Sequence, residues 1–403
     1  MLKKRTSRND SLSSIAFASL MRNTNVVISL IGIGAVVIIA VLGYLITPDK
    51  TPYVNEQHLE IAAKKPGFST QMLKIRNDEV KVRQSWIKTL YYGKRSDYTL
   101  IPISTYRFSS DSITVWLNGE EPSEINPGIA WNLKDVVYAI PESSTTELPE
   151  YDLDKNPIET TLSKLQTSVR NKHLITKTFI LGTDRFGRDM LSQLMIGTRV
   201  SISVGFISVL ISLVVGIFLG ALSGFFRGWV DDVIVWFINV IWSIPTLLLV
   251  IAITFALGKG FWQVFIAVGL TMWVEVARVV RGQIMSLREK EFVEAARALG
   301  YKNFRIITRH ILPNTIGPVI VISAANFASA ILIEAGLSFL GIGVQPPMPS
   351  WGTMIKENYA YIILDNPWLA LIPGIAIMLL VLAFMLIGNG LRDALDVKSN
   401  TVF

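Results

Sequence analysis

"VSISVGFISVLISLVVGIFLGALSG", residues 200–224, carries no charged side chain. An α-helix rises about 1.5 Å per residue, so roughly 20 apolar residues cross a hydrocarbon core of about 30 Å. This run is long enough. It also has one distinctive face, because Ser208, Ser212, Gly216, Gly220 and Gly224 fall at intervals of four and residues so spaced stack along one side of a helix. Lipid tails are as apolar as leucine, so helices in a bilayer associate where small residues let their backbones approach. The stripe predicts either a helix-packing seam or the wall of a translocation path.

Five further apolar runs lie at about 26–46, 233–257, 262–280, 314–336 and 369–390, in a chain that is 51% hydrophobic and only 17% charged. The first is too long, and lacks the small-residue cleavage site, for a removed signal peptide. The expected fold is an all-α polytopic membrane protein with six transmembrane helices. Charge then gives the orientation. Lys3, Lys4, Arg5, Arg8 and Arg22 precede the first run, and eight bases between Arg278 and Arg309 outnumber three acids there. Cytoplasmic loops carry the excess of Lys and Arg, which places both patches and both termini in the cytoplasm. The net charge of +7 is mostly the sum of these patches. They flank spans and do not line a soluble face, so a lipid bilayer is expected as partner and nucleic acid is not. The chain has no cysteine, which excludes disulfides and thiolate metal sites.

Residues 48–195 form a different solvent regime. "YTLIPISTYRFSSDSITVWLNGEE" (98–121) alternates and is rich in strand formers, whereas "ELPEYDLDKNPIETT" (147–161) reads as loop. "EVKVRQSWIKTLYYGK" (79–94) fits helix or strand. The segment is long enough for a core of its own, and topology places it outside as an inserted α+β or mainly-β domain. The expected division is 1–47 for cytoplasmic tail and first span, 48–195 for the inserted domain, 196–395 for the transmembrane core and 396–403 for a cytoplasmic tail. Ser85 and Lys88 match a Ser-x-x-Lys nucleophile spacing by chance, since no companion motif accompanies them.

Catalytic signatures are missing. No phosphate loop and no His-Glu-x-x-His occurs, and His58, His173 and His310 are too scattered for a metal site. No enzyme activity, cofactor or metal is expected on this chain. Two intramembrane acids stand out, because such groups are costly in lipid. Glu275 has Arg278 one turn on and is expected to pair with it. Glu334 near the end of the fifth run either pairs internally or faces a pathway. Pro245, Pro318 and Pro373 can each bend or terminate a span.

"EFVEAARALGYKNFRIITRHILPN" (291–314) is basic and helix-prone between two apolar runs. Gly300 stands where a left-handed helix cap is wanted. Asn303 is expected to cap a second short helix ended by Pro313, with Phe304, Ile307 and Ile311 on one face opposite Arg305 and Arg309. The simpler alternative is an amphipathic helix lying on headgroups.

This block resembles the E-A-A-x-x-x-G…I-x-L-P loop of permease subunits in bacterial ATP-binding-cassette importers, with His310 where the strict pattern has Ile. "LGTDRFGRDMLSQLMIGTRVSISVG" (181–205) and "EAGLSFLGIGVQPPMPSWGTMI" (334–355) are similar to segments of the C-type dipeptide and oligopeptide permeases. The resemblance implies one N-terminal span before a five-helix transport core in the bacterial cytoplasmic (inner) membrane. It implies a coupling helix at 289–313, with Glu294, Ala295, Ala296, Gly300, Leu312 and Pro313 meeting an ATPase. Expected partners are a homologous permease subunit, two ATPase subunits holding ATP and Mg, and an extracytoplasmic substrate-binding protein. Ser208, Ser212, Gly216, Gly220 and Glu334 are the packing or pathway candidates. The resemblance supplies no role for residues 50–175 and does not choose among dipeptides, oligopeptides, nickel or other small ligands. An ion-coupled secondary transporter is the alternative.

Overall fold

The computed structural model describes residues 12–81, 84–140, 151–159, 161–258 and 260–395. Lys3 to Arg8 and the 396–403 tail lie outside the described residues. Helix α1 (Leu12–Arg22) turns at Asn23, whose side chain accepts the Asn25 N–H at 3.1 Å, into α2 (Thr24–Leu42). Next come strand β1 (Phe68–Arg76), helix α3 (Trp86–Tyr92), and strands β2 (Tyr98–Phe108), β3 (Ser112–Leu117) and β4 (Ile129–Asn132). Helices α4 (Leu133–Val137) and α5 (Leu162–Ser168) precede strand β5 (Leu174–Phe179). The remainder is helical: α6 (Met190–Phe226), α7 (Gly228–Ser243), α8 (Thr246–Leu257), α9 (Phe261–Leu287), α10 (Glu291–Ala298), α11 (Asn303–Arg305), α12 (Leu312–Phe339), α13 (Trp351–Asn358) and α14 (Trp368–Leu395).

The strands form one antiparallel sheet in the order β4-β3-β2-β1-β5. Neighbouring residues on a strand face opposite ways, and β1 uses both faces. Leu73 joins Ile103, Ile113 and Val115 beneath Leu133, Val136 and Leu165, while Met72 packs with Ile61 and Phe179 on the other side. The alternation at 98–121 thus becomes the β2–β3 hairpin, and 86–92 becomes helix.

Five helices are long and apolar enough to cross a membrane: Thr24–Leu45, Met190–Phe226, Phe261–Leu287, Asn303–Phe339 and Trp368–Leu395. The run at 233–257 is not the single straight span expected. It breaks by 98° between α7 and α8, so the described residues hold five such helices, or six if the bent pair is one span. Pro245 lacks an N–H, and its ring pushes the residue before it out of helical geometry; Ile244 is extended at φ −94, ψ 130. Pro318 and Pro373 instead lie inside α12 and α14, which continue past them.

The small-residue stripe is a seam against α9. A Cβ on Gly216 would lie 2.8 Å from the Trp273 carbonyl oxygen, on Gly220 2.6 Å from that of Ala277, and on Gly224 2.8 Å from that of Arg281. Ser208 donates its hydroxyl across the seam to the Phe265 carbonyl at 3.1 Å, and Ser212 bonds back to Val209 at 2.8 Å. Gly220→Val should force the helices apart at a cost of about 1–3 kcal/mol. Gly282→Ala, whose new methyl meets nothing within 4 Å, is the matched control. Thermal unfolding of both purified variants checks this, and equal melting would remove the seam's claim to stability.

Candidate functional site

Helix α10 starts after extended Lys290 (φ −87, ψ 147), with Glu291 and Glu294 in its first turn, where the helix dipole favours negative charge. It ends in a double cap. Gly300 adopts φ +76, its N–H bonds the Arg297 carbonyl at 2.9 Å, and the Tyr301 N–H bonds that of Ala296 at 3.1 Å. This is the Schellman arrangement, and it needs a residue that tolerates positive φ.

Beyond the cap two expectations fail. Asn303 is the first helical residue of α11 and not its cap, which falls at Lys302; and Pro313 does not end a helix but sits in the first turn of α12. A π-type turn, Ile306–Ile311, joins the two. Proline is tolerated near a helix start, where its missing N–H is unneeded, and the Asn314 amide covers the His310 carbonyl at 2.7 Å. The chain therefore runs as one helix from Asn303 to Phe339.

The inner side of the block is welded to the bundle. Val293, Ala296, Ile306, Ile307 and Ile311 pack with Phe225 of α6 and Val280 and Ile284 of α9. Ala296 is only 3% exposed. Its small size serves the chain's own packing, not the close approach of a partner. Leu312 is half-buried against the same cluster. Glu294, Ala295, Gly300 and Pro313 are exposed. Phe304, expected beside Ile307 and Ile311, points outward at 78% exposure because the wider π-type turn changes the register. Phe292 and Leu299 are also exposed. These three apolar side chains were missed by periodicity; their occurrence in an otherwise charged surface block was the available signal.

Polar contacts brace the block from below. Arg281 clasps Asp231 of α7 with two bonds of 2.6 and 2.7 Å, and Arg227 meets Glu289 at 2.5 Å. Arg288 and Arg297 lie over the Phe225 ring, and Tyr301 stacks on His310 at 5.7 Å. The outward face is thus presented by a block packed and bonded against the bundle.

The two intramembrane acids behave differently. Glu275 makes no pair with Arg278, whose guanidinium lies 3.3 Å over the Trp242 ring. Glu275 lines a cavity of about 310 Å³ with Trp242, Thr246 and Thr271, beside the α7–α8 break. Glu334 is fully buried and accepts the Ser338 hydroxyl at 2.6 Å.

At the end opposite the basic block, residues 182–189 knot the sheet module to the bundle. Buried Asp184 accepts bonds from the backbone N–H groups of Phe186 and Arg188, from Arg188 Nε at 2.7 Å and from Gln193 Nε2 at 3.0 Å. Arg188 also reaches Glu357 of α13 at 2.6 Å. Burial would lower the Arg188 pKa, but Asp184 and Glu357 outweigh it and hold it above the ordinary guanidinium range. Asp189 caps α6 through the Ser192 N–H at 3.0 Å. Nearby, burial opposes ionisation of Glu56, yet the His58 ring 3.8 Å away and the Lys177 ammonium bonded at 3.0 Å hold its pKa at about 2.

A second knot is Arg199 of α6. Its guanidinium donates to Ala40 O at 2.7 Å, Val41 O at 3.3 Å, Leu90 O at 2.7 Å and Tyr91 O at 3.2 Å. It satisfies carbonyls in the last turns of both α2 and α3, groups with no intrahelical partner.

Residues 216–399 match the profile of the binding-protein-dependent transport system inner membrane component. A dipeptide transport system permease protein, DppC, of Alkalihalophilus pseudofirmus is 45% identical over 217 residues, 54% of this chain and 71% of that protein. A glutathione transport system permease protein, GsiD, of Pectobacterium atrosepticum is 41% identical over 218 residues, 54% of this chain and 72% of that protein. An oligopeptide transport system permease protein, OppC, of Bacillus subtilis is 38% identical over 217 residues, 54% of this chain and 71% of that protein. With its apolar helices and the braced block between two of them, the chain belongs to the family of binding-protein-dependent inner-membrane transport components, the permease subunits of ABC importers.

Proposed function

We propose that this chain forms, with a homologous permease subunit, the path by which dipeptides or short oligopeptides cross the bacterial inner membrane. Two ATPase subunits would drive it from the cytoplasm, and an extracytoplasmic binding protein would deliver the substrate. In this reading the bent α7–α8 pair counts as the sixth span, the basic block and both termini are cytoplasmic, and the sheet module lies outside. The chain itself carries out no chemistry. The relatives' peptide and glutathione transport supports the substrate class, and favours it over an ion-coupled carrier.

The observation that carries the reading is the 291–313 block: braced beneath, outward with Phe292, Leu299 and Phe304, and continuous with a membrane helix. An ATPase seated there would move α12 directly. Ala295→Arg places a long cation where a partner surface would close, and should weaken docking about tenfold or more, equivalent to about 1.4 kcal/mol. Phe304→Ser removes an outward anchor without touching the core. Gly300→Val should strain the φ +76 turn by about 1–2 kcal/mol, and its Cβ meets nothing within 4 Å, so the effect is conformational. All three should insert normally while substrate-stimulated ATP hydrolysis and uptake fall together. Normal assembly, stimulation and uptake in all three would dismiss the block as the coupling element.

A further inference from the structure

The sheet module touches the bundle through a short helix whose side chains mostly face away from protein. In α3, Trp86 is 67% exposed, Ile87 51%, Tyr91 66% and Tyr92 69%. Three aromatics and an isoleucine within seven residues are a poor surface to leave in water. The helix holds one charge, Lys88, and Lys94 and Arg95 follow it. No acid interrupts the stretch from Ser85 to Ser96.

Its height is fixed by backbone bonds. Arg199 holds the Leu90 and Tyr91 carbonyls together with those of Ala40 and Val41, in the last turn of α2. Gly93 closes the clamp: a Cβ there would lie 2.8 Å from the Lys50 carbonyl oxygen, so the chain after α3 is pressed onto the chain after α2. The end of α3 therefore lies level with the end of a membrane span. The adjoining surface of that span is apolar and uncovered, with Ile38 and Val41 each 57% exposed and Ile46 45%. With the ends of α2 and α3 held together by Arg199, a bilayer crossed by α2 would meet α3 near the depth where hydrocarbon gives way to headgroups. Tryptophan and tyrosine favour that zone because an apolar ring carries a polar edge. A lysine there can lay its stem on the apolar side and lift its ammonium to water.

We propose that α3 is an interfacial anchor, with Trp86, Ile87, Tyr91 and Tyr92 inserted among the lipid headgroups and upper acyl chains of the adjacent leaflet. The sheet module is then seated on the bilayer as well as on the bundle. This rests on α2 being a membrane span, and the test carries its own check of that.

Because the chain has no cysteine, an introduced cysteine is the one thiol it carries, and the nitroxide is attached to it in an importer whose other subunits have had their cysteines replaced. Ile87→Cys, Tyr91→Cys and Tyr92→Cys are labelled in the assembled importer in lipid nanodiscs. Ile38→Cys serves as the lipid reference, and Ile125→Cys, in the β3–β4 loop and 97% exposed, as the water reference. Relaxation by oxygen, which concentrates in lipid, is compared with relaxation by a water-soluble nickel chelate. The three α3 sites should follow Ile38, with oxygen dominant; Ile125 should show the reverse. An Ile125-like response at the α3 sites while Ile38 stays oxygen-dominant overturns the anchor alone. A water-like Ile38 overturns the membrane reading of α2 as well. Shielding of the α3 sites from both agents means that a protein subunit covers the helix, which also overturns the proposal. A label-free arm covers variants that assemble poorly: brominated phospholipid should quench wild-type tryptophan emission more than that of Trp86→Phe. Equal quenching would overturn the proposal independently.

Discussion

Asp184→Ala should cost about 3–5 kcal/mol and leave little assembled protein, because removing one member of a buried ion pair strands the other charge. The carboxylate is fully buried and holds two backbone N–H groups, the Arg188 guanidinium and the Gln193 amide at once. Its loss would leave four donors to find new partners. Arg188 would keep Glu357, so the charge is only half stranded and the lower part of that range is the firmer expectation. Glu357→Gln should be milder, since that side chain is 19% exposed and water can replace it. Apparent melting temperature and membrane yield of the two variants give the comparison. Similar losses in both would mean that the knot at 182–189 contributes no more than a surface pair.

Arg199→Ala should loosen the joint between sheet module and bundle. Hydrogen bonds to charged groups contribute about 1.5–3 kcal/mol each, and two of its four are short, at 2.7 Å. A loss of about 3 kcal/mol is expected, localised at the ends of α2 and α3. Arg199→Lys should rescue it only in part, because an ammonium cannot fork toward four carbonyls. Gly43→Ala should reproduce much of the defect, since its methyl would collide with the Arg199 guanidinium. Limited proteolysis between residues 79 and 97 is the readout. Unchanged cleavage in Arg199→Ala would show that the α3 clamp holds without it.

The long apolar runs were legible because lipid imposes a length and a composition at once. The small-residue stripe was legible as a face, and its partner helix was not, since Gly216 and Gly220 carry no mark of what approaches them. Pro245 looked no different from Pro318 and Pro373. It breaks a run whose first half has its own tether, Asp231 to Arg281, and that depends on a helix 50 residues away. Gly300 was readable because one backbone region selects one residue type. Phe304 was misplaced because a uniform helical period was carried across a π-type turn. Arg199 was passed over as the border of a span. Its role depends on two helix ends 159 and 109 residues distant, and no local pattern records such a meeting.

The helix from Asn303 to Phe339 spans 37 residues, about 55 Å at 1.5 Å each, against a hydrocarbon core of about 30 Å. One continuous helical run, through the π-type turn at Ile306–Ile311, therefore joins exposed Phe304 at one end to the buried Glu334–Ser338 contact near the other. Reciprocity follows from linkage. If an ATPase docks at Phe304 as proposed, whatever factor its docking applies to a rearrangement around Ser338 is returned by that rearrangement to docking. On the proposed coupling, a substrate that repacked the far end would change the grip on the motor by the same ratio as the motor changes the grip on the substrate.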